Sequence, residues 1–140
     1  MINIRKATQD DLSSILHLAS QLSDATHIDE RQFLKNLPMM LNDEQHCLLI
    51  ATNDQKVIGY LSSYFHRTIY ANGQVAYIDE IVIEDSHRGQ KIGTDLMAKF
   101  ELIAADYQCR LISLATAGAK GFYEKLGYSS KAQYYKKYLH

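Results

Sequence analysis

The chain has 140 residues, 46% of them hydrophobic, which is enough for one domain to bury a core without disulfide or metal staples. Fifteen Lys and Arg against sixteen Asp and Glu leave a formal net charge of -1, which excludes a broad electrostatic footprint for nucleic acid or an anionic membrane and confines any anion site to a local feature. Met1-Ile2-Asn3-Ile4-Arg5-Lys6 lacks the apolar core of a signal peptide, no apolar run approaches the ~20 residues of a membrane span, and Cys47 and Cys109 have neither zinc-site nor redox-pair spacing. The expectation is a single cytoplasmic domain over residues 1–140, with buried, reduced thiols and no metal.

Ile2 to Lys6 alternates as a short strand, and Thr8 with Asp11 reads as a capping box opening a helix whose buried face is Leu12, Ile15, Leu16, Ala19 and Leu22. A polar stretch over residues 23–27 leads to a second helix carrying Phe33, Leu34 and Leu37, which Pro38 should kink or end. Cys47 to Thr52 and Lys56 to His66 are strands of a β-meander around Asn53-Asp54-Gln55. The meander continues through Asn72-Gly73, the strongest hairpin signal in the chain, into a strand from Gln74 to Ile83. Leu96, Met97, Phe100, Ile103 and Ala104 then mark one face of a helix running to about Tyr107. Arg110 to Leu114 reads as a strand parallel to the one before that helix, joined by a right-handed crossover. A short helix around Lys120 to Leu126 ends at Gly127, and the Tyr-rich stretch Gln133 to Leu139 is expected as a closing strand. A meander followed by one βαβ unit is a mixed α+β fold.

The densest chemical signal follows the strand ending Asp79-Glu80-Ile81-Val82-Ile83. Arg88-Gly89-Gln90-Lys91-Ile92-Gly93-Thr94 is a glycine-flanked turn opening a helix, and the unpaired amides and positive dipole end of such a helix suit a phosphate-bearing ligand. The spacing does not fit a nucleotide P-loop, which needs Gly, four residues and Gly-Lys-Ser/Thr, or the three-glycine dinucleotide fingerprint.

It does resemble the pyrophosphate loop of the GNAT superfamily of N-acetyltransferases, Gln/Arg-x-x-Gly-x-Gly/Ala, with Arg88 first and Gly93 last. Lys91 stands where that pattern has its middle glycine. Read as lying inside the first helical turn, it still offers its N–H, and its ammonium can help neutralise the phosphates. A second stretch, Gly121-Phe122-Tyr123-Glu124-Lys125-Leu126-Gly127-Tyr128, resembles the superfamily's late Phe-Tyr-x-x-Leu-Gly-Phe/Tyr signature and lies one helix and one strand later, as it does there. The resemblance covers nearly the whole chain. It implies a mostly antiparallel sheet with one splayed parallel strand pair, helices on both faces, and acetyl-CoA as co-substrate in the gap between the splayed strands.

By this resemblance the backbone of Ile81, Val82 and Ile83 pairs with pantetheine, and the amide of Ile81 or Val82 polarises the thioester carbonyl. The backbone and side chains of Arg88 to Thr94 hold the diphosphate. Thr116 occupies a position where the family often has a cofactor-contacting Asn. Tyr123 matches the tyrosine that protonates the departing thiolate. Glu80 and Asp79 are the candidate bases, with Glu80 preferred. Strand alternation sends them to opposite faces, and an ion pair with Arg5, Lys6 or Arg67 would explain them equally well. Neither cysteine has an evident His partner and no Gly-x-Ser-x-Gly elbow is present, so direct attack by an amine is preferred over a covalent acyl-enzyme.

The family architecture places a small-molecule amine acceptor among Ser23, Asp24, Thr26, His27, Tyr64, His66, Arg67, Tyr70 and the last strands. The stretch Tyr77 to Ile83, with the segment Gly121 to Tyr128, also looks like that of glucosamine-phosphate N-acetyltransferases, and a surface loop would explain the acceptor-lining residues as well. Rival readings are a protein N-acetyltransferase, which needs an exposed acidic or hydrophobic groove, and a non-catalytic acyl-CoA-binding module. No nucleic-acid or membrane partner is expected, and a homodimer is left open.

Overall fold

The computed structural model describes residues 1–22 and 27–140. β1 (Ile2–Lys6) leads through a 3₁₀ turn (Gln9–Asp11) into α1 (Leu12–Ala19), followed by α2 (Glu30–Leu41), β2 (His46–Asn53), β3 (Lys56–Thr68) and β4 (Gly73–Ile83). A second 3₁₀ turn (Asp85–His87) precedes α3 (Ile92–Asp106), β5 (Leu111–Leu114) and α4 (Lys120–Lys125). The five strands lie in one sheet in chain order. β1 to β4 pair antiparallel and β5 runs parallel to β4, so the mixed α+β architecture is as read from the sequence.

Alternation along the strands builds two cores. Leu49, Leu61 and Phe65 point to the face covered by Leu96, Met97 and Phe100 of α3 and Tyr123 of α4. Ile50, Tyr60 and Val82 point to the other, against Ile15 and Leu18 of α1 and Leu37 of α2. Each fully buried side chain of this size contributes ~1.5–3 kcal/mol, so apolar contact holds both helical layers to the sheet. None of the described helices is long and apolar enough to cross a membrane.

Several local expectations change. In α1 the fully buried leucine is Leu18, while Leu16 is only half-buried. In α2, Leu34 is exposed and the apolar stripe runs through Phe33, Leu37, Met40 and Leu41. Pro38 does not end α2, which continues to Leu41. The donor it removes would have met the carbonyl of Leu34, on the exposed side where water can serve instead. The Asn72-Gly73 hairpin forms with a longer turn: Thr68 pairs with Gly73, and Asn72, at φ 61°, donates its N–H to the Ile69 carbonyl at 3.2 Å. The stretch 133–139 is not a strand. β propensity measures fit to a half-buried pleated surface, and Tyr134, Tyr135 and Tyr138 are too exposed to supply one.

Two local features fix the positions of acidic side chains. Ser62 pairs with Glu80 but Ser63 pairs with Ile78, so Asp79 is an extra residue, a β-bulge in β4. At the start of α1, buried Asp11 takes a two-pronged bond from Arg5 (2.9 and 3.0 Å) and accepts the Thr8 amide at 2.8 Å, which realises the capping box. Burial alone would push the Asp11 carboxyl up, but the Arg5 hydrogen bonds, the Thr8 amide and the Arg5 charge together hold it below the usual carboxylate value.

Asp11→Asn should therefore cost about 2 kcal/mol in urea unfolding at pH 7. Because the folded carboxyl titrates below the unfolded one, whose pKa is ~3.9, the pair's contribution is complete above that value. The difference between wild type and Asp11→Asn should shrink as pH falls through the folded-state pKa. A difference independent of pH down to ~2 would contradict this assignment.

Candidate functional site

The β4–β5 ladder runs only from Val75–Leu111 to Ile78–Leu114. Beyond it β4 continues through Asp79–Ile83 against β3 alone, while β5 stops and the chain turns toward α4. Strand alternation turns the N–H and C=O groups of Ile81 and Ile83 away from β3, where they have no strand to pair with, and an extended ligand carrying amides can satisfy them. The bulge at Asp79 sits where the two strands part.

From Ile83 the chain passes into the glycine turn. Gly89, at φ 85°, is left-handed, and so is Lys91, at φ 63° and ψ 20°. Lys91 is therefore the N-cap of α3, not a residue inside its first turn, and its conformation costs about 1 kcal/mol relative to glycine. The first intrahelical bond runs from Asp95 N–H to the Lys91 carbonyl at 3.1 Å, which leaves the amides of Ile92, Gly93 and Thr94 without helical partners. Buried Ile92 anchors this helix start in the core, whereas Arg88, Gln90 and Lys91 are exposed. The Arg88 guanidinium pairs with Asp85 at 3.0 Å across solvent-exposed side chains, a contact a diphosphate could replace.

The two sequence motifs meet at Gly93. A Cβ there would lie 3.3 Å from Cζ of Phe122, so the missing side chain lets Phe122 pack against the start of α3. Tyr123, next in α4, is 7% exposed and stacks edge-on with Phe122 and Tyr128. Burial pushes its hydroxyl above the usual tyrosine value, so at neutral pH it holds its proton. Tyr123 lines a groove of about 1050 Å³ with Leu114 and Thr116 along β5, but this groove does not reach the glycine turn. Thr116 accepts the Ala119 amide at 3.1 Å and so caps the turn into α4.

On the opposite face Glu80 accepts a 2.6 Å hydrogen bond from Tyr60, which is 1% exposed. Burial, then the Glu80 charge and hydrogen bond, push the Tyr60 hydroxyl far above its ordinary range, so it remains a donor. Glu80, Tyr60 and Ser62 line a cavity of about 410 Å³ under α1 and α2. The expected alternation of Asp79 and Glu80 is broken by the bulge: Ile78 and Ile81 both pack on the α3 side, so both carboxylates fall between two residues of one face. Burial and the neighbouring Glu80 raise the Asp79 carboxyl to about 6, His46 opposing, although solvent still reaches the residue. Arg5, offered by the sequence as a carboxylate partner, is committed to Asp11.

Neither cavity holds both Tyr123 and Glu80. They approach the gap between β4 and β5 from opposite faces of the sheet. Of the expected acceptor residues, Tyr64 and His66 join His46 and Tyr77 in a row of rings with centroids 5.0–6.1 Å apart. His27 lines the smaller cavity, while Tyr70 is exposed and lines the larger groove. Arg67 alternates away from Tyr64 and His66 and is exposed. Ser23, Asp24 and Thr26 lie outside the described residues. Tyr60 and Ser62 were missed in the sequence, where only their spacing on the strand opposite Glu80 marked them.

Residues 10–128 match the model of the Acetyltransferase (GNAT) family. A probable glucosamine 6-phosphate N-acetyltransferase of Drosophila melanogaster is 27% identical over 117 residues, covering 81% of this chain and 53% of the relative. An aminoalkylphosphonate N-acetyltransferase of Salmonella typhimurium (strain LT2) is 28% identical over 129 residues, covering 89% of this chain and 83% of the relative. The chain thus spans about half the length of the first relative and most of the second. A crystal structure of a transcriptional regulator from Bacillus halodurans C-125 superposes with a TM-score of 0.90 at 23% identity, covering 99% of this chain and 100% of that one, a likeness of fold. Since the family model extends from the first helical turn through α4, the chain belongs to the Acetyltransferase (GNAT) family.

Proposed function

We propose that this protein is an acetyl-CoA-dependent N-acetyltransferase that moves an acetyl group directly to the primary amine of a small molecule. The observation that carries this reading is the end of the β4–β5 ladder at Ile78–Leu114, immediately before a glycine turn whose helix-initial amides are unpaired. Acetyl-CoA would bring the thioester carbonyl and the thiolate leaving group. The backbone of Ile81 and Ile83 would grip the pantetheine arm, and the amides of Ile92, Gly93 and Thr94, with Gly89, Gln90 and the cations of Arg88 and Lys91, would hold the diphosphate. Thr116 would border the arm beside Tyr123.

The amide of Ile81 donates to the oxygen that gains charge when the amine attacks. Asp79 or Glu80 takes the proton the amine loses. Tyr123, protonated by virtue of burial, gives its proton to the departing sulfur. A cavity of about 410 Å³ beside Glu80 suits a small acceptor better than a polypeptide.

The decisive experiment is release of free thiol from acetyl-CoA over a panel of amines. Tyr123→Phe should lower kcat about 100-fold while leaving CoA affinity unchanged, and undiminished turnover would remove Tyr123 from the mechanism. The acidic limb of kcat/KM should centre near 6, and Asp79→Asn should displace it downward. A limb that does not move would exclude Asp79. Lys91→Gly should gain about 1 kcal/mol in thermal unfolding by releasing the left-handed Lys, and weaken CoA binding measured by calorimetry. Unchanged CoA affinity would show that the Lys91 ammonium does not reach the phosphates.

A further inference from the structure

The Tyr123 hydroxyl has no hydrogen-bond partner among the described residues, and burial is what raises it above the usual tyrosine value. The direction of its ring is therefore left to packing. Phe122, beside it in α4, meets it edge-on with centroids 4.9 Å apart, and Tyr128 meets it at 5.9 Å and 72°. Phe122 turns with the same helix, whereas Tyr128 comes from outside it. Gly127, left-handed at φ 94°, reverses the chain after α4 and returns the Tyr128 amide to the Tyr123 carbonyl at 3.1 Å. The Tyr128 ring is in turn held from a second element: its hydroxyl donates to Oε2 of Glu101, on α3, at 2.8 Å. Burial, then the Glu101 hydrogen bond and charge, push the Tyr128 hydroxyl above its ordinary range, so it stays a donor. Glu101, Tyr123 and Tyr128 all line the groove along β5. The start of α3 leaves the amides of Ile92, Gly93 and Thr94 unpaired, so one helix carries both the phosphate end of the proposed site and the anchor of Tyr128.

Resting on the acid role given to Tyr123 above, we propose that Tyr128 is a positioning residue, fixed through its hydroxyl to Glu101 and holding the Tyr123 ring in the orientation from which it protonates the departing thiolate. Proton transfer needs the donor within hydrogen-bond reach of the accepting atom, and a misplacement of about 1 Å costs up to about 100-fold in rate. A phenol without a hydrogen bond of its own depends on its neighbours for that accuracy.

The test is a double-mutant cycle on kcat for release of free thiol from acetyl-CoA. Tyr128→Phe keeps the ring and removes only its bond to Glu101; it should lower kcat about tenfold while KM for acetyl-CoA and the thermal midpoint stay unchanged. Glu101→Ala should do the same, whereas Glu101→Gln, which still offers Tyr128 a carbonyl oxygen, should stay within about twofold of wild type. In the Tyr123→Phe background Tyr128→Phe should cost less than about twofold, because no hydroxyl is left to position. A full tenfold loss in that background, a change confined to KM, or wild-type kcat in Tyr128→Phe or Glu101→Ala overturns the positioning role and leaves the acid role of Tyr123 standing. Undiminished turnover in Tyr123→Phe overturns both.

Discussion

The structure depends on the loss of one strand partnership. β4 is held on its β3 side along its whole length, but on its other side the ladder stops at Ile78–Leu114. Backbone amides and carbonyls left this way within a folded domain require a partner, and water in an open wedge is exchangeable for a ligand's amides. The bulge at Asp79 coincides with that point. By inserting one residue it increases the local twist of β4, in keeping with the divergence from β5, and it brings two carboxylates to the point where the strands part.

The surrounding layers fix the strands and helices on either side of this point. α3 and α4 are fixed from one side by the Phe100, Leu96 and Tyr123 core, and the contact of Phe122 with Gly93 sets α4 against the helix start that offers its amides. From the other side α1 and α2 stand off the sheet enough to leave a cavity above Glu80 and Ser62. The molecule therefore has two approaches to one gap, one bearing a protonated phenol and the other bearing carboxylates.

Charge is handled differently at the two acidic sites. Asp11 is closed by Arg5 and the Thr8 amide, a satisfied structural pair at the start of α1. Glu80 receives only a neutral donor, Tyr60, and Asp79 has no cation bonded to it among the described residues. A carboxylate stabilised by a hydroxyl instead of a guanidinium keeps an attraction for an incoming cation, which a closed ion pair would have spent.

Read alone, the sequence determined the element order, the α+β class and the two motifs around Arg88–Thr94 and Gly121–Tyr128, because each rests on local periodicity, turn chemistry or contiguous residues. It could not determine that Asp79 is a bulge, since a bulge is a mismatch between two strands and leaves no trace in either one. The left-handed Lys91 was hidden for a related reason: lysine gives no local sign of positive φ, and the packing around the start of α3 imposes it. The pairing of Tyr60 with Glu80 and the bare hydroxyl of Ser62 join residues about 20 apart in the chain, so only the register of β3 against β4 could bring them together. The tail shows the opposite failure, where strand propensity was present at residues 133–139 but no surface was available to pair with it. Local chemistry thus marked the candidate segments, and long-range packing decided which face each side chain takes.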